Sequence, residues 1–345
     1  MRGRYLILGA ALALVALAAL GPRVRPRGLA VRLPAVPTAP AALQALVAAQ
    51  EARPDLRPDN QARIVWADPA HPARAACAIV YLHGFGASQG EGAPVHRELA
   101  RDFGCNLYLS RLPGHGLAEP DAMRGLTAQQ LVDGAAQALA IGRALGQRVI
   151  VIGTSMGGAL ALELAARQPR AVDAVVLWSP LVREYGDRLE PMFWPWGPLF
   201  LRYAYNRGSE IVAQPHASGY WAQAVHVDGY RAVAELRAAL SPALFARIRA
   251  PLYLGYYYRD ERHQDRTVSV AALLGMFERL GTAPALRRRQ DFPDAGAHVI
   301  ASPLRSRSAG AVYRGTRDFL HEVAGLPYAC GGSRPCAAAP APPSP

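Results

Sequence analysis

Lysine is absent from the 345 residues, so all 38 basic side chains are arginines. An all-arginine basic complement fits GC-rich coding better than selection for phosphate contacts. Six of these arginines precede the first acidic residue, Glu51, and half of the formal charge of +12 therefore belongs to an N-terminal arm. No basic stripe interleaved with aromatics and no DNA-binding motif accompanies the charge, so nucleic acid is excluded as the expected partner. Cysteine is scarce: Cys77, Cys105, Cys330 and Cys336 show no metal-ligand spacing, and neither a metal nor another cofactor is expected. Cys77 and Cys105 open apolar strand-like runs and read as small buried hydrophobes. Cys330 and Cys336 sit in a Gly/Pro-rich tail and could bridge in an oxidising compartment. Internal repeats are absent too. With 51% hydrophobic and 19% charged residues, the chain has the composition of a folded globular protein.

The first segment, "MRGRYLILGAALALVALAALGPRVRPRG", places two arginines before an uncharged run from Tyr5 to Leu20. The run is slightly short of the ~20 residues that span a bilayer comfortably, but Arg4 and Arg23 could snorkel from its ends. Residues 1–22 are therefore expected to be an uncleaved membrane anchor holding the domain that follows outside the cytoplasm, on the periplasmic side. The alternative is a signal peptide cleaved on secretion, although arginines directly after the run disfavour cleavage. Residues 23–40, rich in Pro and Arg, read as an extended linker. The domain itself is expected over 41–327, and 328–345 as a disordered tail.

Within the domain, strand-like and helical patterns alternate. Strands are predicted at 62–68, 77–84, 105–112, 148–153, 171–179, 251–258 and 286–292. Helices are predicted at 41–53, 94–104, 127–146, 270–280 and 308–324. Near-continuous apolar strands separated by helices imply an α/β fold whose mostly parallel sheet is covered on both faces. In such a sheet, chemistry gathers at the carboxyl ends of the strands. The residues there are His83-Gly84-Phe85-Gly86, Leu112-Pro113-Gly114-His115-Gly116 and Gly153-Thr154-Ser155-Met156-Gly157. Later come Asp260 and Asp265, then His298 in "DFPDAGAHVI".

The pentapeptide around Ser155 follows five β-favouring residues and precedes an Ala/Leu-rich helical pattern. A sharp strand-to-helix turn needs small residues on both sides of its apex, and it would lift the Ser155 hydroxyl out of both elements. A nucleophilic serine needs a base, an acid that orients the base, and donors for the oxyanion. His298 is the candidate base. The backbone N–H of Met156, next to the serine at a helix start, is one candidate donor. Two aspartates compete for the acid. Asp260 sits at the ordinary distance after the strand that begins at Pro251, whereas Asp265 needs a longer loop. His83 and His115 read as structural loop residues, His263 as an exposed loop residue, and His96, His216 and His226 carry no pattern.

The motifs "HGFGAS" (83–88), "LPGHG" (112–116), "GTSMGG" (153–158) and "AGAHV" (295–299) resemble those of the α/β-hydrolase superfamily, over roughly residues 60–325. The chain looks most like the esterase, monoacylglycerol-lipase and serine-aminopeptidase branch. The resemblance implies an α/β-hydrolase fold, a doubly wound sheet with a lid, and a triad in the order Ser155, Asp, His298. It favours Asp265 as the acid, because an Asp followed three residues later by Val is the usual look of that loop. It also makes the Phe85 backbone N–H the second oxyanion donor.

The insertion at about 180–250 resembles the superfamily's lid. Its Met192, Phe193, Trp194, Trp196, Leu199 and Phe200 could line an apolar pocket or simply pack the lid onto the core. Glu184, Asp187 and Glu190 could bind a substrate amine, or form a solvated charged face. The expected activity is hydrolysis of a small-molecule carboxylic ester with an apolar acyl or alcohol part, through an acyl-enzyme. Rival readings are a peptide or amide hydrolase of serine-aminopeptidase type, and a non-catalytic binding protein on the same fold. Dehalogenase chemistry is disfavoured, since the nucleophile position holds Ser and not Asp.

Overall fold

The computed structural model describes residues 2–214 and 219–329. Its elements in chain order are α1 (Arg2–Ala19), α2 (Pro40–Glu51), β1 (Arg63–Val65), β2 (Ala75–Leu82), α3 (Val95–Asp102), β3 (Asn106–Leu109), α4 (Ala128–Leu145), β4 (Gly146–Thr154), α5 (Met156–Arg167) and β5 (Ala174–Trp178). The insertion then carries α6 (Gly197–Asn206), β6 (Ile211–Ala213), β7 (Ala224–His226), α7 (Val227–Ala239) and α8 (Pro242–Phe245). β8 (Leu252–Tyr256), α9 (Val270–Glu278), β9 (Arg287–Asp291) and α10 (Ala309–Glu322) complete the domain.

Seven strands form one sheet in the order β1-β3-β2-β4-β5-β8-β9. All neighbours run parallel except β1, which pairs antiparallel with β3. Because side chains alternate across a strand, each central strand feeds two cores. Val149 and Val151 of β4 join Ala78, Val80, Val175 and Leu177 on the side of α4 and α5. Ile150 and Ile152 join Ile79, Tyr81, Val176 and Trp178 on the other side, with Leu99 of α3 and Phe319 of α10. Covering both faces explains why these strands are apolar without alternation. The order of connection reverses between β2 and β4, leaving a crevice at their carboxyl ends.

Three expectations change here. Among the described residues no helix is long and apolar enough to cross a membrane. α1 has 18 residues, about 27 Å at the helical rise of ~1.5 Å per residue, and Arg2 and Arg4 lie within it. The anchor expected over 1–22 is therefore not supported. The segment 23–40 also does not run free of the domain. Val24 and Leu29 are buried, and Gln168 and Gln129 donate to the carbonyls of Val31 and Ala30. Finally, Cys77 and Cys105 are not lone hydrophobes: they form a disulfide, with Cα atoms 4.7 Å apart, joining β2 to the entry of β3. Parallel pairing of β2 with β3 brings the two residues together, which periodicity along one strand does not reveal. Cys330, Cys336, His216 and nearly all of the expected tail lie outside the described residues.

Candidate active site

Ser155 caps α5 directly after β4, with φ 52° and ψ −116°. A non-glycine residue at positive φ costs of order 1–3 kcal/mol and persists only where its surroundings over-determine it. Here the Ser155 N–H donates to Trp178 O at 3.1 Å, and its carbonyl accepts from Gly158 at 2.9 Å and Leu181 at 2.8 Å. The hydroxyl makes no cap hydrogen bond to the helix it opens. The flanking glycines are enforced by contact. A Cβ on Gly157 would lie 2.0 Å from Leu82 O, and one on Gly153 would lie 2.4 Å from Gly157 O. The start of α5 thus sits against the end of β2, and the small residues expected around the turn are required by backbone approach.

Of the two candidate acids, the structure brings Asp265 to His298 and leaves Asp260 away from it. Asp265 Oδ2 lies 2.6 Å from His298 Nδ1. Its Oδ1 accepts the N–H groups of Thr267 at 2.8 Å and Val268 at 3.1 Å, which is what the residues after the aspartate supply. Asp260 instead binds His263 at 2.9 Å on an exposed loop closed by a bridge between Tyr258 and Gln264. That small closed loop is the extra length the Asp265 assignment needed.

Burial raises the Asp265 carboxyl, but His298 and the two backbone donors outweigh it and hold it below its ordinary value. Burial likewise opposes a charged His298, yet Asp265, through its charge and its hydrogen bond, and then Glu91 raise it above 6.5. With Nδ1 engaged, His298 Nε2 is buried and has no hydrogen-bond partner among the described residues.

The loop after β2 supplies the opposite wall. His83 is buried; its Nε2 accepts the Leu112 N–H at 3.0 Å and its Nδ1 lies 2.9 Å from Gly84 O. His115 is buried against it, ring to ring at 5.0 Å, and burial pushes its imidazole down to about 4. Both histidines join the loops after β2 and β3. Among the described residues, neither the Phe85 nor the Met156 backbone N–H is taken by another group. A Cβ on Gly84 would lie 3.3 Å from Ser155 Cβ, so this loop and the elbow are in contact.

The aromatic stretch of the insertion divides. Met192 is buried and Phe193 packs against it in a small cluster with Val24 and Ala234, as the packing reading expects, whereas Trp194, Trp196, Leu199 and Phe200 are exposed. Trp196 instead donates to Leu17 O at 3.1 Å. The part that covers the loop after β2 is 220–230. Ala222 N–H donates to Gly86 O at 2.7 Å, and the Phe85 and Tyr230 rings lie 4.9 Å apart. The acids expected to bind an amine or to face solvent are paired with arginines. Buried Glu184 lies 3.3 Å from Arg237, Glu190 lies 2.8 Å from Arg237, and Asp187 lies 2.6 Å from Arg183. Sequence reasoning also passed over Glu91, a buried carboxylate beside Gly84 with no motif around it.

A seven-stranded, mostly parallel sheet with a serine elbow after β4, an aspartate loop after β8 and a histidine loop after β9 has one counterpart among common folds. The chain has the α/β-hydrolase fold. Comparison with known proteins agrees. The family described as serine aminopeptidase, S33 matches residues 73–214. A pimeloyl-[acyl-carrier protein] methyl ester esterase of Nitrosospira multiformis is 30% identical over 106 residues, 29% of this chain. A 2-hydroxy-6-oxo-6-phenylhexa-2,4-dienoate hydrolase of Comamonas testosteroni is 32% identical over 108 residues, 30% of this chain. These matches span only 37% and 36% of the two relatives. Among solved structures, a metagenome-derived lipolytic enzyme superposes with a TM-score of 0.60 at 17% identity, covering 77% of this chain and 99% of its own. A soluble variant of the Saccharomyces cerevisiae monoglyceride lipase gives 0.57 at 12% identity, covering 76% and 91%. A monoacylglycerol lipase of Paleococcus ferrophilus gives 0.54 at 14%, covering 76% and 98%. At these identities the chain is like its structural neighbours in fold.

Proposed function

We propose that this chain is an α/β-hydrolase of the serine esterase type, acting on small carboxylic esters with an apolar acyl or alcohol part. The observation that carries the reading is the Asp265–His298 contact at 2.6 Å, which leaves Nε2 without a partner, in a chain whose Ser155 sits strained and glycine-flanked at the turn after β4. Ser155 Oγ attacks the ester carbonyl carbon while His298 Nε2 takes its proton. Asp265 holds the imidazole in the Nδ1–H tautomer and stabilises the imidazolium. The Phe85 and Met156 N–H groups receive the oxyanion, each worth roughly 2.7–4 kcal/mol of barrier. Collapse breaks the C–O bond, and His298 returns the proton to the leaving alcohol. A water, activated by the same nitrogen, then releases the acid from Ser155.

The ester reading is supported by the chain's similarity to an esterase and to two monoacylglycerol lipases. The aminopeptidase alternative keeps the name of the matching family but lacks free acids on the insertion to bind an amine, because Glu184, Asp187 and Glu190 are paired with Arg183 and Arg237. We further propose that the domain works in an oxidising compartment outside the cytoplasm, where structural bridges such as Cys77–Cys105 ordinarily form. Turnover of p-nitrophenyl esters of graded acyl length beside aminoacyl p-nitroanilides tests the activity. Ester turnover at least a hundredfold above amide turnover is expected; faster amide cleavage would overturn the reading.

A further inference from the structure

Glu91 is the least expected group near the elbow. It lies in a short buried turn, Gln89–Gly92, and is itself 2% exposed. Its Oε2 accepts the Gly84 N–H at 2.7 Å and the Tyr81 hydroxyl at 3.1 Å. Tyr81 in turn lies 3.0 Å from Thr154 Oγ1, the residue before the nucleophile. Trp221 of the insertion adds a donor alongside. One carboxylate therefore ties together β2, the loop bearing the Phe85 N–H, the end of β4 and the cover over them.

Placement and charge make this more than a structural brace. A Cβ built on Gly84 would meet Glu91 Oε1 at 2.9 Å and Ser155 Cβ at 3.3 Å, so the carboxylate and the nucleophile flank the same glycine. No salt-bridge partner faces Glu91 among the described residues. A buried carboxylate without a cation is costly, and an apolar side chain would fill the space more cheaply. Burial pushes the Glu91 carboxyl above its ordinary value, against the opposing pull of the Gly84 N–H, the charge of His298, the Tyr81 hydroxyl and Trp221. His96, whose ring lies 4.8 Å from that of Tyr81, is kept neutral by burial, pushed down to about 3. The remaining cation in reach is the His298 imidazolium, which forms as Ser155 gives up its proton.

We propose that Glu91 is a positioning residue for the reaction: it fixes the oxyanion loop through the Gly84 N–H and presents a second carboxylate to His298. Gly84 N–H is spent on this anchor, which is why the next N–H, on Phe85, is left to receive the oxyanion. A charge that meets its counter-ion only during the reaction stabilises the transition state more than the ground state. The proposal rests on the esterase reading of the same site.

The test uses the full chain with p-nitrophenyl butyrate, comparing wild type with Glu91→Gln and Glu91→Ala. Thermal melts and fluorophosphonate labelling establish folding and an intact nucleophile. Glutamine keeps an acceptor for Gly84 but removes the charge. The acid limb of kcat/KM against pH is expected to move to lower pH by roughly half a unit or more, as expected for a lost neighbouring carboxylate. Alanine also releases the loop, and plateau kcat is expected to fall about tenfold or more with KM within about threefold, approaching the loss of one oxyanion donor. If Glu91→Ala does not fold, Tyr81→Phe replaces it, with kcat lowered and the limb in place. An active wild type whose folded variants keep its limb and plateau overturns the proposal alone. A wild type that neither labels nor hydrolyses overturns both readings.

Discussion

Asp265 and His298 meet at 2.6 Å from loops that follow different strands, β8 and β9, while Asp260, five residues earlier, faces His263 at the surface. Replacing each aspartate by asparagine separates their roles. Asp265→Asn leaves the His298 tautomer unsupported, and kcat on p-nitrophenyl butyrate is expected to fall by about 10³–10⁴-fold. Asp260→Asn removes an exposed partner and is expected to leave kcat within about twofold and the urea midpoint unchanged. Equal losses in the two variants would refute the assignment.

The pH profile follows from the same pair. His298 must be neutral at Nε2 to accept the serine proton, and it is held above 6.5 by Asp265 and Glu91 against the effect of burial. Activity is therefore expected to rise with pH through a midpoint above 6.5. In Asp265→Asn burial is no longer outweighed, and the residual activity is expected to titrate at lower pH. A wild-type midpoint well below 6.5, measured as kcat/KM between pH 4 and 10, would contradict the site electrostatics.

The elbow predicts a backbone effect. Gly157→Ala places a methyl 2.0 Å from Leu82 O, where neither backbone can yield without moving the turn or β2. Overpacking of this kind costs about 1–3 kcal/mol, and a backbone clash belongs at the upper end. Urea unfolding should show that loss, and fluorophosphonate labelling should fall with it. A variant as stable as wild type would mean that the close approach is absent.

The Cys77–Cys105 bridge closes a loop of 28 residues. Loop-closure entropy for that length corresponds to about 3–4 kcal/mol. A Cys77→Ser/Cys105→Ser variant should unfold at correspondingly lower urea concentration, and dithiothreitol should destabilise only the wild type. Thiol counts that find both cysteines free in oxidised protein would contradict the pairing.

Much of the sheet and the site was legible because each leaves a local trace. The strands at 77–84 and 148–153 are apolar runs, and Ser155 and His298 sit in compact Gly-rich motifs directly after strands. What escaped depends on contacts between distant segments. The disulfide follows from the pairing of β2 with β3. Glu91 acquires meaning only when its turn folds under Gly84. In the insertion, composition drew attention to Trp194–Phe200, yet aromatic density does not say which face meets the domain. The cover over the elbow comes from the plainer stretch around Ala222 and Tyr230. The apolar N-terminal run forms a helix, but among the described residues it is not long and apolar enough to cross a membrane.

The central claim is that Ser155 is the nucleophile of a working hydrolase. Its most direct test is fluorophosphonate labelling of the intact protein, with the adduct mapped by peptide mass spectrometry. We predict a single adduct on Ser155 and none in folded Ser155→Ala. Labelling that persists in that variant, or an adduct on another residue, would contradict the account.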